Sequence, residues 1–390
     1  MNRWAKILTF WIPFRGVRHW ARKQIIRLFI FCIPLHKDWI VFYDTFSKSG
    51  NGDSIRPLAV ELRKRRPDMR FFFVSNSPRD IEMADEVLVV ESERYDYIMK
   101  RAKYMITPME VPGGKRRGQI WVMTWHGNAI KSIYLHHEQT PKMYKIMEPY
   151  KRIDMWTIPS TVTRDIFAQM FNLALKVFVP TGVPRNDILC ADDKTKNDVI
   201  TNTRKKLGLS ENDKVIFYCP TWRSGDHKMP FMIDIDYMKS TLGKEYKLLV
   251  RSHTGRHNWV DKNGNQIIIK DDSVIDVGEY PMVSDLYLIA DIFISDYSSA
   301  ILDFAILKKP ILLFDYDYDE YMSKTGFVYD YANEIPAPIL RESHDLIDAI
   351  KDIQDVLHKY SKRYNAFNKK WNEFEKGNAT IQVLDLLKLK

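Results

Sequence analysis

Cysteine is scarce in this chain. Cys32, Cys190 and Cys219 are the only three among 390 residues, widely separated, in apolar settings and without a C-x-x-C. So few and so scattered, they supply neither a disulfide framework nor a zinc site, and they fit reduced, buried thiols. The sequence also lacks G-x-x-x-x-G-K-[ST] and G-x-G-x-x-G. Neither a nucleoside-triphosphate loop nor a dinucleotide fingerprint is therefore supported. Long apolar runs are missing as well. The run from Leu28 to Leu35 is far short of the roughly 20 residues a membrane-spanning helix requires. No small-residue cleavage site follows it, which excludes a secretory signal. Low-complexity tracts and short-period repeats are absent.

Acidic residues are nearly absent from one region. Of 59 basic and 50 acidic residues, eight and one fall within 1–40, leaving 51 and 49 for the rest. The body is close to neutral and has no basic stripe, which argues against nucleic acid as a partner. The basic arm interleaves its charges with Trp4, Trp11, Phe14 and Trp20, and Arg15, Arg18 and Arg22 share one helical face. Such a segment is expected to lie on an anionic membrane surface; packing on its own protein is the alternative. A hydrophobic content of 45% and a charged content of 28% are those of a globular protein, and the length predicts two domains.

From residue 39 onward, strand and helix patterns alternate, which predicts mostly parallel sheets covered on both faces. The expected division is an arm at 1–37, a first Rossmann-like domain at 38–190, a second at 191–360, and a C-terminal helical segment at 361–390 packing back on the first. Several predicted strands end in polar groups. Trp125-His126-Gly127-Asn128 follows one, Thr221 and Arg223 another, Arg251-Ser252-His253 a third and Ser295-Asp296-Tyr297-Ser298-Ser299 a fourth. In open α/β sheets ligands bind outside the carboxyl ends of the strands. Small hydroxyl residues opening a helix suit a phosphate, although Ser295 or Asp296 would equally serve as an N-cap. The Pro112 to Gly118 cluster reads as a solvated turn, with a membrane or phosphate contact as the alternative. The acidic run Asp315 to Glu320 reads as a solvated loop rather than a cation site.

Taken in order, Trp125 to Asn128 with Ile130-Lys131, Thr181 to Asp187, Tyr218 to Arg223, Arg251 to His253 and Ser295 to Phe304 resemble the CDP-glycerol glycerophosphotransferases of teichoic-acid biosynthesis. The resemblance covers roughly residues 40–380. It implies a GT-B fold, two facing Rossmann-like domains with the donor held mainly by the second. It further implies a peripheral enzyme on the cytoplasmic face of the plasma membrane. Its partners would be CDP-glycerol, an undecaprenyl-diphosphate-linked disaccharide or glycerol-phosphate acceptor, and an anionic membrane surface, with no cofactor and no metal. The implied reaction is attack of an acceptor hydroxyl on the glycerol-bearing phosphorus, releasing CMP.

In that reading His126 is the general base, and Gly127, Asn128 and Lys131 line the acceptor side. His253 with Arg251 holds the diphosphate and steadies the departing CMP. Thr221, Arg223, Ser295, Asp296, Ser298 and Ser299 line the donor site. Asp303 reaches the ribose hydroxyls or simply favours its helix dipole. Asn128 stands where the family commonly has Thr. The length resembles that of enzymes adding a first or second glycerol phosphate. Alternatives are a transferase of the same fold using CDP-ribitol or a UDP-sugar, including a capsule or glycan polyol-phosphate transferase, and a non-catalytic membrane-docked phosphate-binding module.

Overall fold

The computed structural model describes residues 33–45, 52, 54–77, 80–128, 130–131, 145–221, 223, 228–252, 258–261, 263–269 and 271–389, together with 17 and 21. Most of the expected membrane arm lies outside these residues, and so does His253.

Two parallel sheets organise the chain. The first comprises β1 (His36–Tyr43), β2 (Arg70–Ser75), β3 (Glu86–Val89), β4 (Ala102–Thr107), β5 (Ile120–Met123), β6 (Met155–Thr157) and β7 (Phe178–Val179), in the spatial order β3-β2-β1-β4-β5-β6-β7. The second comprises β8 (Lys214–Tyr218), β10 (Tyr246–Val250), β12 (Val274–Asp276), β13 (Ile292–Ser295), β14 (Ile311–Phe314) and β15 (Ile339–Leu340), in the order β12-β10-β8-β13-β14-β15. The strands β9 (Lys228–Pro230) and β11 (Asn258–Val260) pair separately. Counted from its own first strand, the second sheet runs 3-2-1-4-5-6, the doubly wound order, and the first has the same order with a seventh strand added after the sixth. Strands of such sheets are covered on both faces and read as continuous apolar runs. Phe71, Phe72, Phe73 and Val74 of β2 show this, all being fully buried.

Among the described residues, the α-helices of the first unit are α1 (Ile55–Arg65), α2 (Glu93–Met99) and α3 (Thr161–Phe171). In the second they are α4 (Asp193–Lys206), α5 (Ile235–Leu242), α6 (Val283–Ile289), α7 (Ala300–Ala305), α8 (Tyr318–Lys324), α9 (Tyr331–Glu334) and α10 (Ser343–Lys351). The last two, α11 (Ile353–Trp371) and α12 (Ala379–Leu386), carry the chain back. Helix α11 presents Tyr364, Phe367 and Trp371 at helical spacing to the core of the second unit. Beyond it, the Phe374 amide donates to Pro159 O (2.8 Å) and Glu373 accepts from the Thr161 amide (2.9 Å). Val383 and Leu384 of α12 then join Ile55, Leu58 and Leu62 of α1 in one apolar cluster. Asp187 fixes where α12 begins, because its two carboxylate oxygens accept from the Ala379 and Thr380 amides, each at 2.8 Å.

Candidate active site

The second sheet reverses winding direction between β8 and β13, and the chain leaves their carboxyl ends on opposite sides of a crevice. Two contacts tie those ends together: Ser295 Oγ donates to Cys219 O (2.7 Å), and the Thr221 amide donates to Asp296 Oδ1 (2.6 Å). Ser295 and Asp296 are fully buried, so they build the site rather than face it. Thr221 Oγ1 is buried without a hydrogen-bond partner among the described residues. A buried hydroxyl left in that state costs about 1–3 kcal/mol, which a ligand atom would offset. Ser298 Oγ accepts from the Ala300 amide (3.2 Å), a local turn contact. Ser299 occupies the N-cap position of α7 yet makes no side-chain cap bond. Neither Ser295 nor Asp296 is the N-cap the sequence allowed, because the helix begins at Ala300 and both side chains are turned to the Cys219–Thr221 loop.

Several expected donor ligands have other partners. The Arg223 guanidinium donates from Nε and Nη2 to Asp317 (2.6 and 2.9 Å) and from Nη1 to Thr221 O (2.6 Å), and it is ion-paired with Asp296 Oδ2 at 2.9 Å. The rings of Tyr297, Tyr316 and Tyr321 surround it at 5.1, 5.5 and 5.1 Å. With most of its donors engaged in this way, Arg223 holds the Thr221 loop against Asp296. Arg251 Nη1 donates to the carbonyls of Val277 (2.9 Å) and Tyr280 (2.7 Å), closing the loop after β12. Asp303 gives both oxygens to Arg185 (2.9 and 3.1 Å), and Oδ1 also accepts from Asn186 (3.0 Å). This buried pair, rather than ribose hydroxyls, is what its carboxylate meets.

The acidic run is also less solvated than expected. Asp315 is fully buried and accepts from Tyr331 Oη (2.8 Å), whereas Asp319 and Glu320 keep side-chain exposures of 82% and 68%. Burial, helped by the charge of Asp296, pushes the Asp315 carboxyl up to about 8. Among the described residues no group of three His, Cys, Asp or Glu side chains is arranged to hold a metal ion.

The first unit supplies the facing wall. Trp125 has φ +56°, an uncommon conformation for a bulky residue. Its ring is held among Tyr150, Trp156, Phe167 and Phe171, with centroids at 6.0, 5.2, 5.7 and 5.2 Å. That packing maintains the turn and leaves the next side chain, His126, exposed at the strand end. Gly127 meets the second unit directly, since a Cβ on it would lie 2.5 Å from Ser299 Oγ. Asn128, expected on the acceptor side, is turned inward. It is buried, and its Oδ1 accepts from Thr163 Oγ1 (3.2 Å) beside the start of α3. Lys131 crosses over: it forms a bridge with Phe327, and its Nζ lies 5.6 Å from the Tyr321 ring centroid. Burial draws its ammonium down to about 8 despite the opposing charge of Asp296.

Arg185, Asn186 and Glu375 form a junction that no strand-end pattern reveals. Besides holding Asp303, Arg185 donates to Trp125 O (3.5 Å). Asn186 Nδ2 donates to Glu375 Oε1 (3.0 Å), and Glu375 Oε2 accepts from the Val183 amide (3.3 Å). The Thr181 to Asp187 motif is thus the brace between the His126 turn, α7 and the returning C-terminal segment. Its place inside an ordered motif was the signal available in sequence.

Residues 25–389 match the family described as CDP-Glycerol:Poly(glycerophosphate) glycerophosphotransferase. The chain belongs to that family. Glycerol-phosphate transfer from CDP-glycerol, the activity expected from the ordered motifs, is the family's activity. A teichoic acid poly(glycerol phosphate) polymerase of Bacillus spizizenii is 30% identical over 391 residues, covering 93% of this chain and 95% of that protein. A polymerase of the same description from Staphylococcus epidermidis is 28% identical over 89% of this chain, but the chain spans only 50% of its length. A relative of nearly equal length is therefore called a polymerase, and length does not separate first-unit addition from chain growth. Among solved structures, the wall teichoic acid polymerase TagF, in a variant form, aligns with a TM-score of 0.81 and 26% identity over 91% of this chain and 89% of that one. The two parallel α/β units thus have the arrangement of that GT-B-like enzyme.

Proposed function

We propose that the chain transfers glycerol phosphate from CDP-glycerol to a hydroxyl of a membrane lipid-linked acceptor, a teichoic-acid linkage unit or growing chain. The acceptor oxygen attacks the glycerol-bearing phosphorus, the bond from that phosphorus to the CMP oxygen breaks, and the acceptor proton passes to the His126 imidazole. A neutral imidazole near pH 7 suits that role. Ser298, Ser299 and the Thr221 hydroxyl hold the donor phosphates, and phosphoryl transfer of this kind depends chiefly on positioning and charge stabilisation. His253 is assigned to the departing CMP. Arg223, Asp303 and Arg185 act as positioning residues. The observation that carries this reading is the approach of Gly127 to Ser299. It sets a candidate base from one sheet beside the candidate phosphate turn of the other.

The enzyme works at the cytoplasmic face of the plasma membrane as a peripheral protein. Among the described residues no helix is long and apolar enough to cross a membrane. The test is to incubate purified protein with a lipid-linked disaccharide analogue and CDP-glycerol, CDP-ribitol or UDP-sugars. CMP release coupled to glycerol-phosphate addition is expected with CDP-glycerol. Preferential turnover of CDP-ribitol would replace the donor assignment, and binding without turnover of any donor would return the chain to a phosphate-binding module.

A further inference from the structure

The Pro112 to Gly118 cluster is not the solvated turn its composition suggests. Arg116 is buried, with Nη1 donating to Lys100 O (2.8 Å) and Nη2 to Ile33 O (3.0 Å). Its own amide donates to Gln119 Oε1 (2.7 Å), and Gln119 is anchored in turn on the carbonyls of Met99 and Ala102, both at 2.8 Å. This fixed floor underlies an open concavity of about 440 Å³ lined by Lys115, Arg116, Arg117, Lys151, Arg152 and Asp154. Five cations face one carboxylate there. Asp154 is already committed, accepting from Lys115 Nζ (2.5 Å) and from the Trp121 amide (2.7 Å). Lys151 is paired with Glu148 at 2.8 Å. Arg117 and Arg152 have no ion-pair partner among the described residues.

Such a concentration of one sign is costly without a counter-charge, and the rest of the body is nearly neutral. Its location narrows the choice of anion. Gln119 precedes β5, Arg152 precedes β6 and Ile33 precedes β1, so the concavity lies at the amino ends of these parallel strands. The His126 turn lies beyond their carboxyl ends, with β5 between them, about 13 Å of strand at ~3.3 Å per residue. An anion bound here is not a reacting one. The chain also enters β1 at this edge, where Arg101 Nε donates to Pro34 O (3.0 Å) beside the Arg116 contact to Ile33. The segment preceding Ile33 is the basic, Trp-rich one.

We infer that the concavity formed by Lys115, Arg117, Lys151 and Arg152 over the Arg116 floor is a phosphate-binding site for the headgroup of an anionic membrane lipid. The inference rests on the membrane association proposed above and gives it a defined contact on the folded body. Guanidinium groups suit a phosphodiester through paired donors.

The experiment compares full-length protein with Arg117→Gln/Arg152→Gln and Arg117→Lys/Arg152→Lys on phosphatidylglycerol and phosphatidylcholine vesicles. A basic group near an anionic surface is worth about fivefold in partitioning. The Gln variant should therefore bind phosphatidylglycerol vesicles about 10–30-fold more weakly, while the Lys variant, which keeps the charge without the paired guanidinium donors, should fall between it and the parent. Turnover of a water-soluble acceptor analogue should be unchanged in both, which also reports that they fold. Parental vesicle binding by the Gln variant overturns the site. Binding of inorganic phosphate that the Gln variant loses, with equal binding of the parent to phosphatidylglycerol and phosphatidylcholine vesicles, would instead mark a free-phosphate site and overturn the lipid assignment. A parallel deletion of residues 2–32 keeps the two readings apart. If the deletion releases the protein but the Gln variant does not, membrane association stands and the pocket fails.

Discussion

Replacing Gly127 with Ala is the sharpest probe of the contact between the two sheets. The new methyl would sit 2.5 Å from Ser299 Oγ but 3.5 Å from Ser299 Cβ, so the hydroxyl alone is in the way. Gly127 has no positive φ, and the substitution adds no backbone strain. Ser299 must leave its rotamer, at about 0.5–1.5 kcal/mol, or the loops must part, at the 1–3 kcal/mol typical of overpacking. If that energy is lost from the transition state, kcat/KM falls between about 2-fold and 150-fold. In a Ser299→Ala background the obstruction is gone, and Gly127→Ala should cost almost nothing further. The assay is CMP release from CDP-glycerol for the parent, both single variants and the double variant. Non-additivity equal to the whole Gly127→Ala effect is expected. Additive losses would refute the reasoning, because they would show that Gly127 matters by some route other than Ser299.

His126→Ala should lower kcat by about 10²-fold or more with CDP-glycerol binding retained; near-parental turnover in a rapid-quench assay would remove it as the base. Asp303→Asn breaks a buried bidentate pair and leaves Arg185 uncompensated, so denaturant unfolding should show a loss of about 3–5 kcal/mol; a loss under 1 kcal/mol would mean that the junction is not a brace. Burial pushes the Glu375 carboxyl up to about 8 from an ordinary 4.5. The folded chain then keeps a proton that the unfolded chain releases, and stability falls as pH rises from about 4.5 to about 8. Glu375→Gln should flatten unfolding free energy across that window, and an unchanged pH profile would contradict the assignment.

Much of this organisation is local and therefore legible in sequence. Strands β5, β8, β10 and β13 end within three residues of the polar groups expected to follow them, because hydrophobic period acts over a few residues. The ordered strand-end motifs led to the family for the same reason, since each is a short run fixed by its own turn. Charge pairing was not legible. Arg223 looks like a phosphate ligand in isolation, but folding brings Asp317 and Asp296 to it, while Arg251 gives Nη1 to the Val277 and Tyr280 carbonyls. Asp303 meets Arg185 across a separation of 118 residues, which no periodicity encodes. Asp315 appears solvated among acidic neighbours until β14 carries it into the interior. Lys131, five residues after His126 in the chain, acts on the opposite unit because a bridge to Phe327 takes it there. The sequence alone determined the elements, their alternation and which residues stand at strand ends. Tertiary structure decided which charges are spent on one another and which remain to meet a ligand, because that depends on distances set only when the two sheets and the returning C-terminal segment pack together.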